Sequence, residues 1–132
     1  MRIGEVAEQL GCSVATLRFY ERRGLMTPSY RTDANYRVYG REALERAGFI
    51  RRCRTLGMTM EEIKTLLALH DKPDTDCSAA HAVIAEHHGH VAERMAELAS
   101  LEKDLHRIQA QCDQKRSGSE CASLASLRDT SP

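Results

Sequence analysis

Tryptophan is absent from these 132 residues, and aromatic side chains of all kinds amount to 5% of them. A core built almost without rings has to rest on Leu, Ile, Val, Met and Ala. No apolar run approaches the ~20 residues that a membrane-spanning helix needs, and the first residues lack the apolar stretch of a signal peptide. The chain is therefore expected to have no membrane partner and to stay in the cytoplasm, where thiols are kept reduced. Cysteines number 5, an odd count that argues against a disulfide framework. No catalytic Cys/His or carboxylate constellation stands in a pocket-forming context, so an enzyme is not expected. The length suits one domain, or one small domain with an extension. Residues 113–120 and 128–132 are polar and Ser-rich, and read as a loop and a frayed tail.

Net charge is missing only in total. Residues 1–54 hold 11 Arg/Lys against 6 Asp/Glu, a balance of +5, and residues 55–132 hold 8 against 13, a balance of −5. A basic front half beside an acidic rear half points to a polyanion partner for the front alone. A merely solvated basic surface is the plainer alternative.

Within the front half, Ile3, Val6, Ala7 and Leu10 predict a short amphipathic helix stopped by Gly11. Ser13 fits an N-cap, and Val14, Leu17 and either Tyr20 or Phe19 supply the buried face of a second helix. Two short helices on a tight turn make a helix-turn-helix. The second would present Ser13, Thr16, Arg18 and Arg22 outward, a set suited to base edges and phosphates. Asp33-Ala34-Asn35 is turn chemistry, and Tyr36 to Tyr39 alternates like a strand. A hairpin with Arg31, Asn35, Tyr36 and Arg37 near its tip is either a wing along a phosphate backbone or a surface hairpin kept soluble by its arginines. Arg41 to Leu56 reads as a helix, Gly57-Met58 as a turn, and Thr59 with Glu62 as a capping box opening a helix through Leu69. Pro73 closes that helix.

The rear half is organised by a heptad. Ile84, Val91, Leu98 and Leu105 recur every seven residues and reach Cys112, while His87, Leu101 and Ile108 add an intermediate seam in which Arg94 fits poorly. The helix, from about Ser78 to Cys112, would be on the order of 50 Å long at ~1.5 Å per residue. It is too long to pack on so small a domain, which makes a second copy of the chain its expected partner. The fold class expected is mainly α: a winged helix-turn-helix over residues 1–72, a linker and dimerisation helix over 73–112, and a loop, short helix and tail over 113–132.

Taken together, these residues resemble the MerR family of transcriptional regulators. The matching pieces are Ile3-Gly4-Glu5-Val6-Ala7, Thr16-Leu17-Arg18-Phe19-Tyr20-Glu21-Arg22, Gly24-Leu25, Asn35-Tyr36-Arg37-Val38-Tyr39 and the run from Phe49 to Thr59. The likeness extends in order to Leu127. It implies an antiparallel coiled-coil homodimer, an effector site at the rod ends, and binding to an inverted repeat in double-stranded promoter DNA alongside RNA polymerase. By position it implies recognition-helix contacts from Thr16, Arg18 and Tyr20, wing contacts from Arg31, Asn35, Tyr36 and Arg37, and a backbone contact from Arg54.

Cys77 lies at the start of the rod helix, where exposed amides and the helix dipole stabilise a thiolate. Cys112 and Cys121 flank eight loop residues that can fold back onto one ion. In the antiparallel dimer that the resemblance implies, Cys77 of one protomer meets Cys112 and Cys121 of its partner. Cys12 and Cys53 read instead as small hydrophobes. Thiolates favour soft metals. Zinc wants four ligands and the loop offers no His, whereas copper(I) is content with two sulfurs and its branch of the family carries Ser at the position of Cys77. Lead(II) and cadmium(II) fit best, because Cys77-Ser78, Glu86-His87 and Cys53-Arg54-Thr55-Leu56 resemble that branch. Mercury(II) is the runner-up on the eight-residue gap and the Cys121–Leu127 segment, and Zn(II) a further candidate. Among His81, His87, His88 and His90, the pair His87 and His90 shares one helical face and with Glu62 would make a second metal site. Glu62 is also explained as a capping partner. Two rival readings are a metal-sequestering protein, which would not need the basic wing and helix-turn-helix, and a thiol redox sensor built on Cys112 and Cys121 as a reversible pair, which loss of response under reducing conditions would identify.

Overall fold

The computed structural model describes residues 1–28, 30–72, 74, 76–111 and 121–129, and it is mainly helical, with six helices and a two-stranded sheet among them. Two compact units result, Met1–Ile84 and Ala85–Pro132.

The first unit begins with α1 (Ile3–Leu10), which ends where Gly11 takes a left-handed conformation at φ 65° and Cys12 N–H reaches back to the Ala7 carbonyl at 3.0 Å. Glycine lacks the Cβ that makes this conformation costly, so the helix stops here and the chain turns. Helix α2 (Val14–Arg22) starts under Ser13, whose Oγ accepts from Thr16 N–H at 3.1 Å as an N-cap should. Of the two aromatic candidates for its inner face the fold selects Tyr20, 3% exposed, over Phe19, 37% exposed.

A hairpin follows. Strands β1 (Tyr30–Arg31) and β2 (Arg37–Val38) run antiparallel, with Tyr30 opposite Val38 and Arg31 opposite Arg37. The strand is thus shorter than the alternation from Tyr36 to Tyr39 suggested. The turn closes through Asn35 N–H to the Thr32 carbonyl and Thr32 N–H to the Tyr36 carbonyl, both at 2.8 Å, with Tyr36 N–H also held by Thr32 Oγ1 at 3.1 Å. Asn35 sits at φ 64°, a conformation that asparagine tolerates better than most residues. The base of the hairpin is tied to the start of the chain by Tyr39 N–H donating to the Met1 carbonyl at 2.6 Å.

Helices α3 (Arg41–Thr55) and α4 (Met60–His70) form the second helical pair. Gly57 makes the turn at φ 79°, and the capping box is complete: Glu62 N–H donates to Thr59 Oγ1 at 3.2 Å and Thr59 N–H to Glu62 Oε1 at 2.9 Å. The core of this unit joins Val6 and Ala7 of α1, Leu17 and Tyr20 of α2, Leu25, Met26 and Tyr39 of the connections, Ala43, Ala47, Ile50 and Cys53 of α3, and Ile63, Leu66 and Leu67 of α4. Arg46 ties three segments together, donating from Nε to the Leu25 carbonyl at 2.5 Å and from Nη1 to Asp71 Oδ1 at 2.8 Å. That guanidinium holds the Asp71 carboxyl below its ordinary value.

Helix α5 (Cys77–Ala110) runs 34 residues, about 50 Å at ~1.5 Å per residue. It opens one residue earlier than expected, with Asp76 Oδ1 accepting from Ser78 N–H at 2.8 Å. Ala80 and Val83 in its first turns pack on the core of the first unit, yet no residue of α5 is fully buried. Its heptad side chains stay open: Ile84, Val91, Leu98, Leu101 and Leu105 are 41–65% exposed. Helix α6 (Ala122–Arg128) follows Cys121, whose carbonyl accepts from Ala125 N–H at 3.0 Å. Ser123 Oγ joins α6 to the end of α5 by donating to the Ile108 carbonyl at 2.6 Å.

Burial sets the expected response to mutation. Leu17, fully buried, should cost about 2–5 kcal/mol when cut to Ala. Thr59→Ala should cost only about 1 kcal/mol through loss of the cap. Urea unfolding of the two variants checks both numbers, and an equal cost would contradict the assignment of Leu17 to the core.

Candidate nucleic-acid interface and metal-ligand residues

The hairpin and α2 enclose a groove of 780 Å³ lined by Arg2, Arg18, Glu21, Arg22, Arg31, Asn35, Tyr36, Arg37 and Tyr39, with Ile3, Met26, Thr27 and Pro28. Five residues that the sequence proposed as nucleic-acid contacts, Arg18, Arg31, Asn35, Tyr36 and Arg37, are therefore gathered on one concave surface. A second, shallower depression of 340 Å³ collects Thr16, Tyr20 and Arg54 with Ala15, Phe19 and Met60. Ser13 is exposed but committed to the cap, its Oγ lying 2.9 Å from Thr16 Oγ1. Tyr20 contributes its ring chiefly to the core. Arg54 donates from Nη1 to the Met58 carbonyl at 2.8 Å, which fixes its stem beside the α3–α4 turn.

The structure adds an arrangement that residue spacing did not reveal. Glu21, on the inner edge of α2, accepts from Arg37 Nη1 at 2.5 Å and from the Tyr39 hydroxyl, so one carboxylate clamps both β2 and its exit onto the recognition helix. The Tyr39 ring is fully buried. Burial first, then the hydrogen bond to the Glu21 carboxylate, pushes its hydroxyl up to about 12 against the opposing effect of Arg37. Arg2, absent from the sequence-based set, places its guanidinium 3.9 Å over the ring of Tyr36, which stays exposed in the groove, a cation–π contact that orients the ring. Arg31 Nη1 donates to Asn35 Oδ1 at 3.2 Å across the hairpin tip. The signal that could have found the clamp is the coincidence of a lone acid in an Arg-rich helix with a Tyr at the hairpin exit.

Among the thiols, Cys77 is the first residue of α5 and exposed, and Cys121 is partly buried just before α6. Cys112 lies outside the described residues, as does the 113–120 loop. Cys77 and Cys121 have the chemistry and the helix-start positions for soft-metal ligation. Cys53 is buried at 6% exposure, and that burial raises its thiol, which suits a packing role. Cys12 is partly buried against the same core. His87 is partly buried and His90 exposed on α5, while Glu62 carries the capping box. Among the described residues no three His, Cys, Asp or Glu side chains gather within one chain in a way that could hold a metal ion. No helix among them is long and apolar enough to cross a membrane.

A helix-turn-helix, a two-stranded wing and a basic groove between them define a DNA-binding protein. The profile of the MerR HTH family regulatory proteins matches residues 1–69, and that of the MerR DNA-binding segment matches residues 44–108. An HTH-type transcriptional regulator ZntR homolog of Haemophilus influenzae is 42% identical over 105 residues, covering 80% of this chain and 78% of that protein. The crystal structure of the transcription regulator PbrR691 from Ralstonia metallidurans CH34 in complex with lead(II) matches with a TM-score of 0.85 at 42% identity, covering 96% of this chain and 98% of the other. MerR from Bacillus megaterium MB1 in complex with mercury(II) matches with a TM-score of 0.74 at 26% identity, covering 98% and 100%. The chain belongs to the MerR family of transcriptional regulators.

The Glu21 clamp has a titration signature. Because the folded state holds the Tyr39 proton more tightly than the unfolded chain, the stability it contributes is complete below the ordinary value of 10.0 and is lost as pH rises toward about 12. Ultraviolet titration of the folded protein should show a tyrosine ionising near 12 that disappears in Tyr39→Phe. Its persistence in the variant would rule the clamp out.

Proposed function

We propose that this chain is a metal-responsive transcriptional activator that binds a promoter inverted repeat as a homodimer and distorts the DNA when Pb(II) or Cd(II) enters a three-thiolate site. In this reading residues 1–72 bind DNA, 73–112 link and dimerise, and 113–132 close over the ion. The ligands are Cys77 of one protomer with Cys112 and Cys121 of its partner. The observation that carries the proposal is the uncovered heptad stripe of α5 with Cys77 at its first residue. A partner helix laid along that stripe buries it, and if antiparallel it brings the end of one rod beside the start of the other.

On the DNA side, Thr16, Arg18 and Tyr20 serve the recognition helix, Arg31, Asn35, Tyr36 and Arg37 the wing, Arg54 the second helical pair, and Ser13 the entry to α2. Arg and Tyr fix register on phosphates, and fewer residues read bases. The lead(II) complex of PbrR691 supports a metal effector. Mercury(II) is the second reading, favoured by the mercury complex of the Bacillus megaterium protein. His87 and His90 with Glu62 are proposed as a second, weaker metal site.

Energetically the switch is feasible. Bending a site of 20–30 bp costs ~1–6 kcal/mol, and swinging a two-state dimer from 1:99 to 99:1 requires about 5.5 kcal/mol of differential affinity. Structural zinc binding in small peptides reaches ~10–16 kcal/mol, so a three-thiolate site that closes in only one conformer has enough energy to drive the change. RNA polymerase then meets a promoter whose elements the bound dimer has realigned.

Three outcomes test this. Cys77→Ser, Cys112→Ser and Cys121→Ser should each abolish Pb(II)- and Cd(II)-induced transcription from a reporter while leaving operator binding intact, and undiminished induction in any of them would break the three-thiolate assignment. Arg31→Ala should weaken operator binding and make its logarithmic salt dependence shallower by about 1, as expected for loss of a single phosphate contact. His87 and His90 replaced together by Ala should lower the metal bound per chain; unchanged stoichiometry removes the second site.

A further inference from the structure

We propose that Glu21 is a positioning residue that sets DNA specificity: it cancels the charge of Arg37 while fixing its guanidinium, so that Arg37 contributes directed hydrogen bonds and little sequence-independent attraction. The inference rests on the reading of the hairpin arginines as DNA contacts and deepens it by giving Arg31 and Arg37 different roles.

An acid stands in a basic groove. Arg2, Arg18, Arg22, Arg31 and Arg37 line that groove, and Glu21 is the one carboxylate among the described residues that line it. A carboxylate there opposes the approach of phosphate, and a groove built for affinity alone would carry none. Nor is Glu21 a loosely placed surface acid. Its side chain is 11% exposed, against 44% for Arg37, and their paired atoms lie 2.5 Å apart. Arg37 Nη1 donates to Glu21 Oε2 and the Tyr39 hydroxyl donates to Oε1, so both carboxylate oxygens are engaged.

The hairpin register supplies a second observation. Arg31 and Arg37 stand directly opposite each other, and like charges in that relation are destabilising. The two are held differently. Arg31 donates from Nη1 to Asn35 Oδ1 at 3.2 Å, a neutral partner that leaves its full charge in place. Arg37 is joined to a carboxylate, and that pair is neutral. A guanidinium has five N–H donors in a rigid fork, so a bond to Glu21 orients the fork and leaves it further donors.

Sequence-independent binding follows the cations that displace counterions from phosphate, and its logarithm falls with that of salt by about 0.9 for each of them. A neutral pair displaces none. What the pair keeps is geometry, and donors held in place add to binding only where a phosphate or base edge meets them in register. Arg37 therefore discriminates between aligned and misaligned duplexes, whereas Arg31 attracts any duplex.

The test measures salt-dependent binding of the full-length protein to two probes, a duplex selected by the wild type from a random-sequence pool and a scrambled version of it. Glu21→Gln keeps an acceptor for Arg37 and Tyr39 and removes only the charge. It should bind the scrambled duplex about 5-fold more tightly at 0.15 M salt, with a slope steeper by about 0.9. The gain on the selected duplex should be smaller, because the loosened fork offsets it. Glu21→Asp, which retains the charge, should keep the wild-type slope. Arg37→Ala should weaken the selected duplex and leave the scrambled one and both slopes nearly unchanged, in contrast to Arg31→Ala. Glu45→Gln, which removes an equal charge from an exposed pair with Arg41 outside the groove, should alter binding to neither probe. An unchanged slope in a folded Glu21→Gln overturns the proposal, and so does a fall in slope in Arg37→Ala as large as in Arg31→Ala. The second criterion decides by itself should Glu21→Gln fail to fold, which circular dichroism shows. Failure of the underlying DNA reading looks different, since neither arginine variant would then change binding to either probe.

Discussion

Everything in the rear half of this protein depends on the uncovered apolar stripe of α5. The helix is 34 residues long, has no fully buried residue, and carries Ile84, Val91, Leu98, Leu101 and Leu105 half-exposed along its length. Helix propensity in water is a weak support, and most helical stability comes from burying an apolar face. Burying a side chain of this kind is worth about 1.5–3 kcal/mol, so a facing copy of the helix supplies what a single chain cannot. The same packing dictates where the thiols go. Cys77 follows the heptad count backward from Ile84, and Cys112 follows it forward from Leu105, so a rod that pairs antiparallel carries sulfur to both of its tips.

The first unit answers to a different constraint, the need to present cationic side chains without letting them repel the fold apart. It does so by pairing selected arginines internally. Arg37 is held by Glu21, Arg46 by Asp71, and Arg54 by the carbonyl of Met58. Arg2 lies over the Tyr36 ring. Such contacts orient the side chains and trim the mobility a polyanion would otherwise have to suppress on binding. Glu21 has the largest share in this, because it accepts from both Arg37 and Tyr39 and so joins the wing to α2.

Thiols at helix starts offer partly preorganised donors, and the basic groove offers phosphates a fixed surface. Between them α5 is continuous from Cys77 to Ala110, with Ala80 and Val83 packed on the DNA-binding core.

Much of this was legible in the residues because the signals are short-range. Gly11, Ser13, Gly57 and the Thr59–Glu62 box determine helix boundaries through bonds to neighbours within a few positions, and heptad spacing marks a stripe wherever the helix lies. The five groove residues could be grouped for the same reason, each lying on a helix or a hairpin whose outward face follows from local periodicity. Contacts between residues distant in sequence were not legible. That Tyr20 rather than Phe19 turns inward, that Glu21 takes both Arg37 and Tyr39, and that Arg2 covers Tyr36 are decided by how separate elements meet, at separations of 16 to 34 residues where no periodicity connects the partners. The sequence by itself determined which segments become helix, wing and rod and which residues bear charge or sulfur. Only the tertiary structure decided which of those charges are paired with one another, because that choice rests on close approach between separate elements, which does not exist until they pack.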